Sequence, residues 1–244
     1  MTDLGHGKTR WGSALFRFDA RRRLERAFSC CLVSGLARLR SHLERGPAIL
    51  GLNHVSFWDG FLLPQLEHAA SADGYCLMDR ANLERLSFLR FAGAVPVDTR
   101  SPQRSRVDLE RAARLLDRPG RLLFVFPQGR QAPARLPLRF RSGVLDLATR
   151  SGAPIVPVGL GYDFGQDAKP EVRIAIGAPT RLQGSRRSQL RGLEEAVRAE
   201  LDRIDAHLTG ATVGDDFQSL ISARPRGLPM GTRLLEGWPF RRPV

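Results

Sequence analysis

A histidine and an aspartate within one short segment could act together as a general base. In residues 53–59 (NHVSFWD), His54 precedes Asp59 by five positions. A carboxylate bonded to one ring nitrogen of a histidine fixes its tautomer and leaves the other nitrogen free to accept a proton from a hydroxyl. Ser56-x-x-Asp59 also fits a helix capping box, beside which His54 would be an ordinary loop residue. Taken alone, the segment favours the capping interpretation.

The segment joins an apolar run to a helical pattern, and the rest of the chain repeats that alternation. Apolar runs typical of buried strands lie at 47–52, 121–126, 154–160 and 172–176. Helical patterns lie at 57–67, 104–116, 142–150 and 188–208. This alternation predicts an α/β fold, in which a single domain has a central, largely parallel sheet flanked by helices.

The ends of the chain differ from this central part. We predict the α/β domain over 46–210 and a tail rich in Gly, Pro and Arg over 211–244, which either wraps around the domain or is poorly ordered. Residues 1–45 form a basic N-terminal segment with one amphipathic helix at 16–43, because its apolar residues recur at three- and four-residue steps. The apolar stripe fits either the protein's own core or a membrane interface.

The composition excludes several classes of protein. The 244 residues carry 38 Lys and Arg against 25 Asp and Glu, a formal net charge of +13, and 42% are hydrophobic, as in a globular protein. Three cysteines, of which Cys30 and Cys31 are adjacent, make no disulfide framework and favour a reducing compartment. The uncharged stretches fall short of the roughly 20 residues of a membrane span, and the first ten residues lack a secretory signal pattern. We predict a cytoplasmic protein.

The positive charge predicts a polyanionic partner without choosing among nucleic acid, anionic lipid and phosphorylated cofactors. A nucleic-acid-binding protein is the competing class. Aromatic residues are only 7% of the chain, and the sequence has no zinc-finger spacing, RNP-like strand motif or recognition-helix signature. We therefore expect no nucleic acid partner.

Four blocks occur in this order along the chain, and they are NHxxxxD at 53–59, GAVPVDTR at 93–100, FPQG at 126–129 and GAPIVPV at 152–158. They resemble the motifs of the PlsC-like lysophospholipid (1-acylglycerol-3-phosphate) acyltransferase family. The resemblance extends over about residues 49–179 and implies an O-acyltransferase of phospholipid metabolism.

The resemblance also implies a role for each matching residue. His54 is the general base and Asp59 its partner, Gly129 lies in a tight turn beside the acyl acceptor, and Pro157 helps to shape the site. The residues that the resemblance places at the substrate are Asn53, Gly93, Arg100, Gln128, Gly129, Arg130 and Pro157.

The chain departs from the family pattern at the positions that usually bind phosphate. Gln128 replaces the usual Glu of FPEGTR, and Arg130 and Gln131 replace its Thr and Arg. Thr99 is interposed before Arg100 and moves that arginine by one position. An amide can hydrogen-bond a hydroxyl but carries no charge. We expect a lysophospholipid or related lipid as the acceptor, or alternatively a glycolipid or carotenoid glycoside with a sugar hydroxyl.

The implied reaction is a direct transfer without an acyl-enzyme. His54 deprotonates the acceptor hydroxyl, which attacks an acyl thioester carried by coenzyme A or acyl carrier protein. We expect the oxyanion to be bound by backbone N–H groups at the start of the helix after His54. The scheme needs no bound cofactor and no metal.

An enzyme with lipid substrates must meet a membrane, so the resemblance favours the interfacial role of the N-terminal helix. The residues expected at the membrane are Trp11, Phe16 and Phe18, which insert, and Arg21, Arg22 and Arg23, which bind anionic headgroups. We predict a cytoplasmic protein peripherally associated with the inner face of the cell membrane. The alternative is a basic protein that binds nucleic acid or lipid without catalysis.

Overall fold

The structure, a computed structural model, describes residues 7–164, 168–181, 183–211 and 216–222. The helices are α1 (Arg10–Ala27), α2 (Leu36–Leu43), α3 (Asp59–Ala69), α4 (Arg80–Arg85), a 3-10 helix (Ser87–Ala92), α5 (Pro102–Ala113), α6 (Gly143–Ser151) and α7 (Arg186–Leu208). The strands are β1 (Cys30–Ser34), β2 (Ala48–Leu52), β3 (Asp73–Asp79), β4 (Ala94–Val97), β5 (Arg121–Val125), β6 (Ile155–Asp163), β7 (Glu171–Ile176) and β8 (Gln218–Ser222).

All eight strands form one sheet in the order β4-β3-β5-β2-β6-β7-β1-β8. The first five strands of this order are parallel, whereas β7 is antiparallel to β6. Beyond β7, β1 is parallel to β7 and β8 is antiparallel to β1. The predicted fold class, one α/β domain with a largely parallel sheet, is confirmed. Because parallel strands end at the same edge, the loops after β2, β3, β4, β5 and β6 meet there.

Two apolar cores hold the helices on the two faces of the sheet. Strands β2 and β5 are buried at every position, as their continuous apolar sequences predict. One core joins Leu24 of α1 and Leu62 of α3 to the sheet. The other core joins Leu109 of α5, Leu145 of α6 and Leu193 of α7 to the opposite face. Helix α3, which begins at Asp59, is thereby fixed against the strand that ends just before His54.

The predicted helix over 16–43 is wrong, because a strand interrupts it. Helix α1 ends at Ala27 and β1 pairs with β7, with Val33 opposite Ile174. Gly35 then turns the chain with φ +75°, and a Cβ there would lie 2.1 Å from the Ile176 carbonyl oxygen. The apolar residues of 28–34 are spaced as in a helix. In the structure they belong to or flank β1, which pairs with two other strands, so the sheet overrides the local helical pattern.

The sheet extends beyond the range predicted for the domain. Strands β1 and β8 lie before residue 46 and after residue 210, and they pair with each other. Part of the predicted tail therefore belongs to the sheet, while 212–215 and 223–244 lie outside the described residues. In the described part of the chain, no helix combines the length and apolar character needed to cross a membrane.

Candidate active site

Polar residues that follow β2 and β5 lie together at the edge of the sheet where these parallel strands end. Asn53, directly after β2, donates from Nδ2 to the Leu160 carbonyl (2.9 Å) and accepts from the Leu160 amide at Oδ1 (2.7 Å). This buried pair of hydrogen bonds fixes the end of β2 to β6. Asn53, predicted at the substrate, therefore has a structural position beneath His54.

The structure brings His54 and Asp59 together. His54 Nδ1 lies 2.7 Å from Asp59 Oδ2, and Asp59 is fully buried. Since an ionised carboxylate only accepts, the neutral imidazole carries its proton on Nδ1 and leaves the Nε2 lone pair free. Nε2 makes no hydrogen bond with any described residue, and 22% of the His54 side chain is exposed. The histidine therefore has an oriented, accessible basic nitrogen.

Asp59 also organises the backbone around this histidine. Its Oδ2 accepts from the amides of Val55 (2.9 Å) and Ser56 (3.0 Å), while Ser56 Oγ accepts from the Trp58 amide (3.2 Å). The bond from the Ser56 amide is the carboxylate half of a capping box. The two interpretations of this segment are therefore compatible, because one carboxylate caps the helix and holds the imidazole.

These contacts leave few of the backbone amides that were expected to bind the oxyanion. The amides of Val55, Ser56 and Trp58 are already bound by side chains of the same turn. The Phe57 amide makes no hydrogen bond with the described residues. Of the four amides between His54 and α3, only that of Phe57 is left for a ligand.

A tyrosine from β6 completes the surroundings of Asp59. The Tyr162 hydroxyl donates to Asp59 Oδ1 at 2.6 Å. Burial and the charge of Asp59 raise the pKa of Tyr162 well above its usual range, so its hydroxyl stays protonated. The sequence analysis missed Tyr162, because it lies 103 positions from Asp59 and only the sheet order brings the two together.

The FPQG loop after β5 supports His54 from the other side. The Phe126 ring stacks on the imidazole, with the ring centroids 4.3 Å apart. Gln128 Oε1 accepts from the His54 amide at 2.6 Å, and the Ala132 amide donates to the His54 carbonyl at 2.9 Å. The predicted site residue Gln128 thus lies beside the histidine, and its acceptor oxygen is used by the backbone.

The next residue, Gly129, makes the predicted tight turn with φ +68°. A Cβ at this position would also lie 3.1 Å from Cζ of Arg141, so the guanidinium occupies the space that a side chain would fill. Arg141 makes no ion pair with the described residues, and Arg130 is exposed on the same loop. Arg141 is a cation beside the FPQG loop that the sequence analysis missed, because it lies outside the four blocks.

Three predicted substrate residues are not brought to His54. Gly93 precedes β4 and so lies at the opposite edge of the sheet, where a Cβ would be 2.9 Å from the Gly74 carbonyl oxygen. Pro157 pairs with Gly51 inside the sheet and faces α7, because a Cβ on Gly177 would meet both Pro157 and Glu200. Arg100 follows β4 at the correct edge, but β4 is three strands from β2, about 14 Å.

The surface of α1 carries large exposed apolar side chains. Trp11, Leu15 and Phe18 are 63%, 61% and 59% exposed. Phe16, predicted to insert into a membrane, is instead partly buried, and its ring centroid lies 6.0 Å from that of Phe61 in α3. Helical geometry explains this difference, since Phe16 shares its face with the buried Ala20 four positions later.

The predicted arginines Arg21, Arg22 and Arg23 are exposed at the carboxyl-terminal half of α1. Arg21 pairs with Glu25 and Arg23 with Asp19 along the helix, at 2.8 Å and 2.6 Å. Such exposed pairs are weak and exchange readily with other anions.

A mostly parallel sheet with an oriented histidine at its carboxyl edge is an α/β domain suited to general-base chemistry. Residues 32–161, just over half of the chain, match the family model described as Acyltransferase. The chain belongs to the acyltransferase family. This agrees at family level with the resemblance of its four sequence blocks.

The fold has a counterpart among solved structures. The structure described as 1-acyl-sn-glycerophosphate (LPA) acyltransferase, PlsC, from Thermotoga maritima matches with a TM-score of 0.59 at 20% sequence identity. The match covers 80% of each chain. A comparison with curated proteins finds no significant match. At this identity the structural likeness establishes the fold and carries no assignment of substrate.

Proposed function

We propose that the protein transfers a fatty acyl group from an acyl thioester of coenzyme A or acyl carrier protein to a hydroxyl of a lysophospholipid or related lipid. The observation that carries this proposal is the His54 Nδ1–Asp59 Oδ2 hydrogen bond of 2.7 Å with Nε2 left accessible. Membership of the acyltransferase family supports the reaction class. The four ordered sequence blocks support the lipid acceptor.

The proposed reaction begins with the acceptor hydroxyl on His54 Nε2. As its oxygen attacks the thioester carbonyl, its proton passes to Nε2, and the imidazolium is stabilised by the buried charge of Asp59. The tetrahedral intermediate then collapses with loss of the C–S bond, and the proton on Nε2 passes to the leaving thiolate. The products are one ester and one thiol, and the enzyme carries no acyl group between the two steps.

The developing oxyanion needs a donor close to His54. The Phe57 amide is free of the described hydrogen bonds and lies at the amino end of α3, where the helix dipole favours negative charge. The Nε2 group of Gln128 also donates to no described residue. These two groups are the candidates for the oxyanion or for a second acceptor hydroxyl.

The acceptor headgroup is proposed to lie over Gly129, between the loop that carries Arg130 and the guanidinium of Arg141. An unpaired guanidinium can bind a phosphate through two parallel hydrogen bonds. Arg141 would thus supply a charge that the family pattern places on the loop itself. An uncharged Gln128 beside it fits a headgroup that carries hydroxyls, which is why a glycolipid or carotenoid glycoside stays the alternative acceptor.

The proposal is tested by incubating the purified protein with radiolabelled acyl-coenzyme A or acyl carrier protein and a panel of lysophospholipids and glycolipids. A labelled ester with at least one pair of donor and acceptor is expected. A protein that binds lipid or nucleic acid without catalysis would form no labelled ester with any pair.

The Gln128→Glu variant is expected to change the preference among acceptors on this panel. A glutamate can still accept from the His54 amide but loses the amide donor, so acceptors that present a sugar hydroxyl should fall about tenfold in kcat/KM relative to lysophosphatidate. Gln103→Glu makes the same change of charge at an exposed position of α5, away from this loop, and serves as the control. Identical acceptor profiles for wild type and Gln128→Glu would reject a role of this residue in selection.

We also propose that α1 attaches the protein to the cytoplasmic face of the membrane through Trp11, Leu15 and Phe18. The neighbouring exposed arginines Arg21, Arg22 and Arg23 would bind anionic headgroups. Deletion of 1–43 cannot test this surface, because it would also remove β1 from the sheet. Substitutions at exposed positions of α1 leave the sheet intact.

Replacing Trp11, Leu15 and Phe18 together with serine is expected to weaken binding to vesicles of phosphatidylglycerol and phosphatidylcholine by more than about tenfold. The three exposed side chains would bury apolar area worth about 1.5–3 kcal/mol each if fully inserted. Val107→Ser removes an exposed apolar side chain from α5 and is the control. Co-sedimentation that is equal for the triple variant and the control would reject α1 as the membrane contact.

A further inference from the structure

We infer that Tyr162 is a positioning residue for the proposed general base, because its hydroxyl holds the one oxygen of Asp59 that His54 does not use. The inference rests on the proposed acyl transfer. Tyr162 donates to Asp59 Oδ1 at 2.6 Å, while Oδ2 lies 2.7 Å from His54 Nδ1. Tyr162 lies outside the four sequence blocks and touches the acid that orients the base.

The hydrogen bonds around Asp59 hold its carboxylate in one orientation. Oδ2 receives three donors, from the His54 ring and the amides of Val55 and Ser56, and Oδ1 receives the phenol. A fully buried carboxylate is costly unless such donors compensate its charge. Without the phenol, Oδ1 has no donor among the described residues, and the plane of the carboxylate is fixed at one oxygen only.

The fold holds the phenol rigidly in this place. Tyr162 lies near the end of β6, where it pairs with Val172 of β7. It is two positions beyond Leu160, whose backbone is hydrogen-bonded to Asn53. Its ring lies 5.8 Å from that of Phe28, which follows α1. The pKa of Tyr162 is raised by burial and by Asp59, so the phenol remains a donor over the working range of an enzyme.

Removal of this donor has a predictable electrostatic effect on His54. A carboxylate with one donor fewer keeps more of its charge for the imidazolium, which raises the pKa of His54. Cys31 of β1 lies close enough to Tyr162 to act on it electrostatically, and Arg141 lies beside Gly129 on the loop that carries Gln128. Burial raises the pKa of the Cys31 thiol to about 12, and an arginine keeps its charge, so neither titrates together with the histidine.

The test compares Tyr162→Phe with Tyr75→Phe, which removes the only other tyrosine hydroxyl of the chain. Tyr75 contacts Arg121 through its hydroxyl at the other edge of the sheet. For Tyr162→Phe we expect kcat to fall about tenfold with KM nearly unchanged, and the acidic limb of the kcat/KM profile to move up by about 0.5–1 pH unit. Tyr75→Phe should leave the limb in place.

An NMR measurement that needs no substrate tests this inference independently of the proposed function. The imidazole of His54 is titrated by NMR in protein labelled at histidine, and its signal is assigned by its loss in His54→Gln. Tyr162→Phe should raise the pKa of this one histidine by a similar shift, even if the wild type proves to transfer no acyl group. An unshifted His54 titration in folded Tyr162→Phe protein overturns the inference, whatever the rate of that variant.

Discussion

The His54→Ala variant is expected to lose acyl transfer almost completely, with kcat/KM lower by about 10³–10⁴. The reason is that Nε2 is the only basic atom at this edge that Asp59 orients. Removal of the partly exposed imidazole leaves Asn53, Gln128 and the sheet contacts beneath it in place. The loss should therefore appear in activity and not in the far-UV circular dichroism or the melting temperature.

His68→Ala is the control for this variant. His68 lies near the end of α3, on the same helix as Asp59, and its ring contacts Arg17 at 2.8 Å. It should keep activity within about twofold, since it contacts no residue of the site. If His54→Ala retained a tenth of the wild-type rate, the histidine would not be the general base.

The Asp59→Asn variant is expected to lower kcat/KM by about 10³ while the protein stays folded. The amide has the shape of the carboxylate and can accept some of its hydrogen bonds, but it carries no charge to stabilise the imidazolium. It also offers a donor where Asp59 now accepts from Tyr162 or His54, which disturbs the tautomer. The loss should lie mainly in kcat, because Asp59 is buried and does not contact the acceptor.

Glu194→Gln is the control for the loss of a carboxylate charge. Glu194 of α7 accepts from the Phe140 amide at 2.7 Å, and glutamine can keep that bond. Its activity should match the wild type, because α7 lies on the other face of the sheet. A rate for Asp59→Asn within tenfold of this control would show that Asp59 serves only as a helix cap.

Four of the strands and the histidine–aspartate pair could be predicted because their signals are local. The apolar runs that became β2, β5, β6 and β7 are continuous, since these strands are covered on both faces or nearly so. His54 and Asp59 are joined by a single strand-to-helix turn, so their spacing alone limits the distance between them. The boundaries of these elements differ from the predicted ones by a few residues at most.

The parts that could not be predicted depend on distant segments. The apolar spacing of 28–34 fits a helix, and only pairing with β7 and β8 makes it strand β1. Strand β3 (DGYCLMD) is partly exposed and mixes polar with apolar residues, so no continuous run reveals it. Tyr162 and Arg141 reach the site through the order of strands and the course of the loop after β5, which no motif encodes.

Gly93 and Pro157 show that a motif match does not fix where a residue lies in the fold. A motif match places a residue in a family alignment but does not give the edge of the sheet at which it lies. Gly93 precedes β4 and Pro157 lies inside β6, so neither reaches the loops that surround His54. Both positions contact neighbouring elements closely.

The most direct test of His54-dependent acyl transfer is to measure the free thiol and the labelled ester formed from one acyl thioester, with and without the acceptor. We predict equal amounts of thiol and ester from the wild type, formed only when the acceptor is present, and neither product from His54→Ala. Thiol release that does not require the acceptor, or equal ester formation in the wild type and His54→Ala, would contradict direct transfer with His54 as the general base.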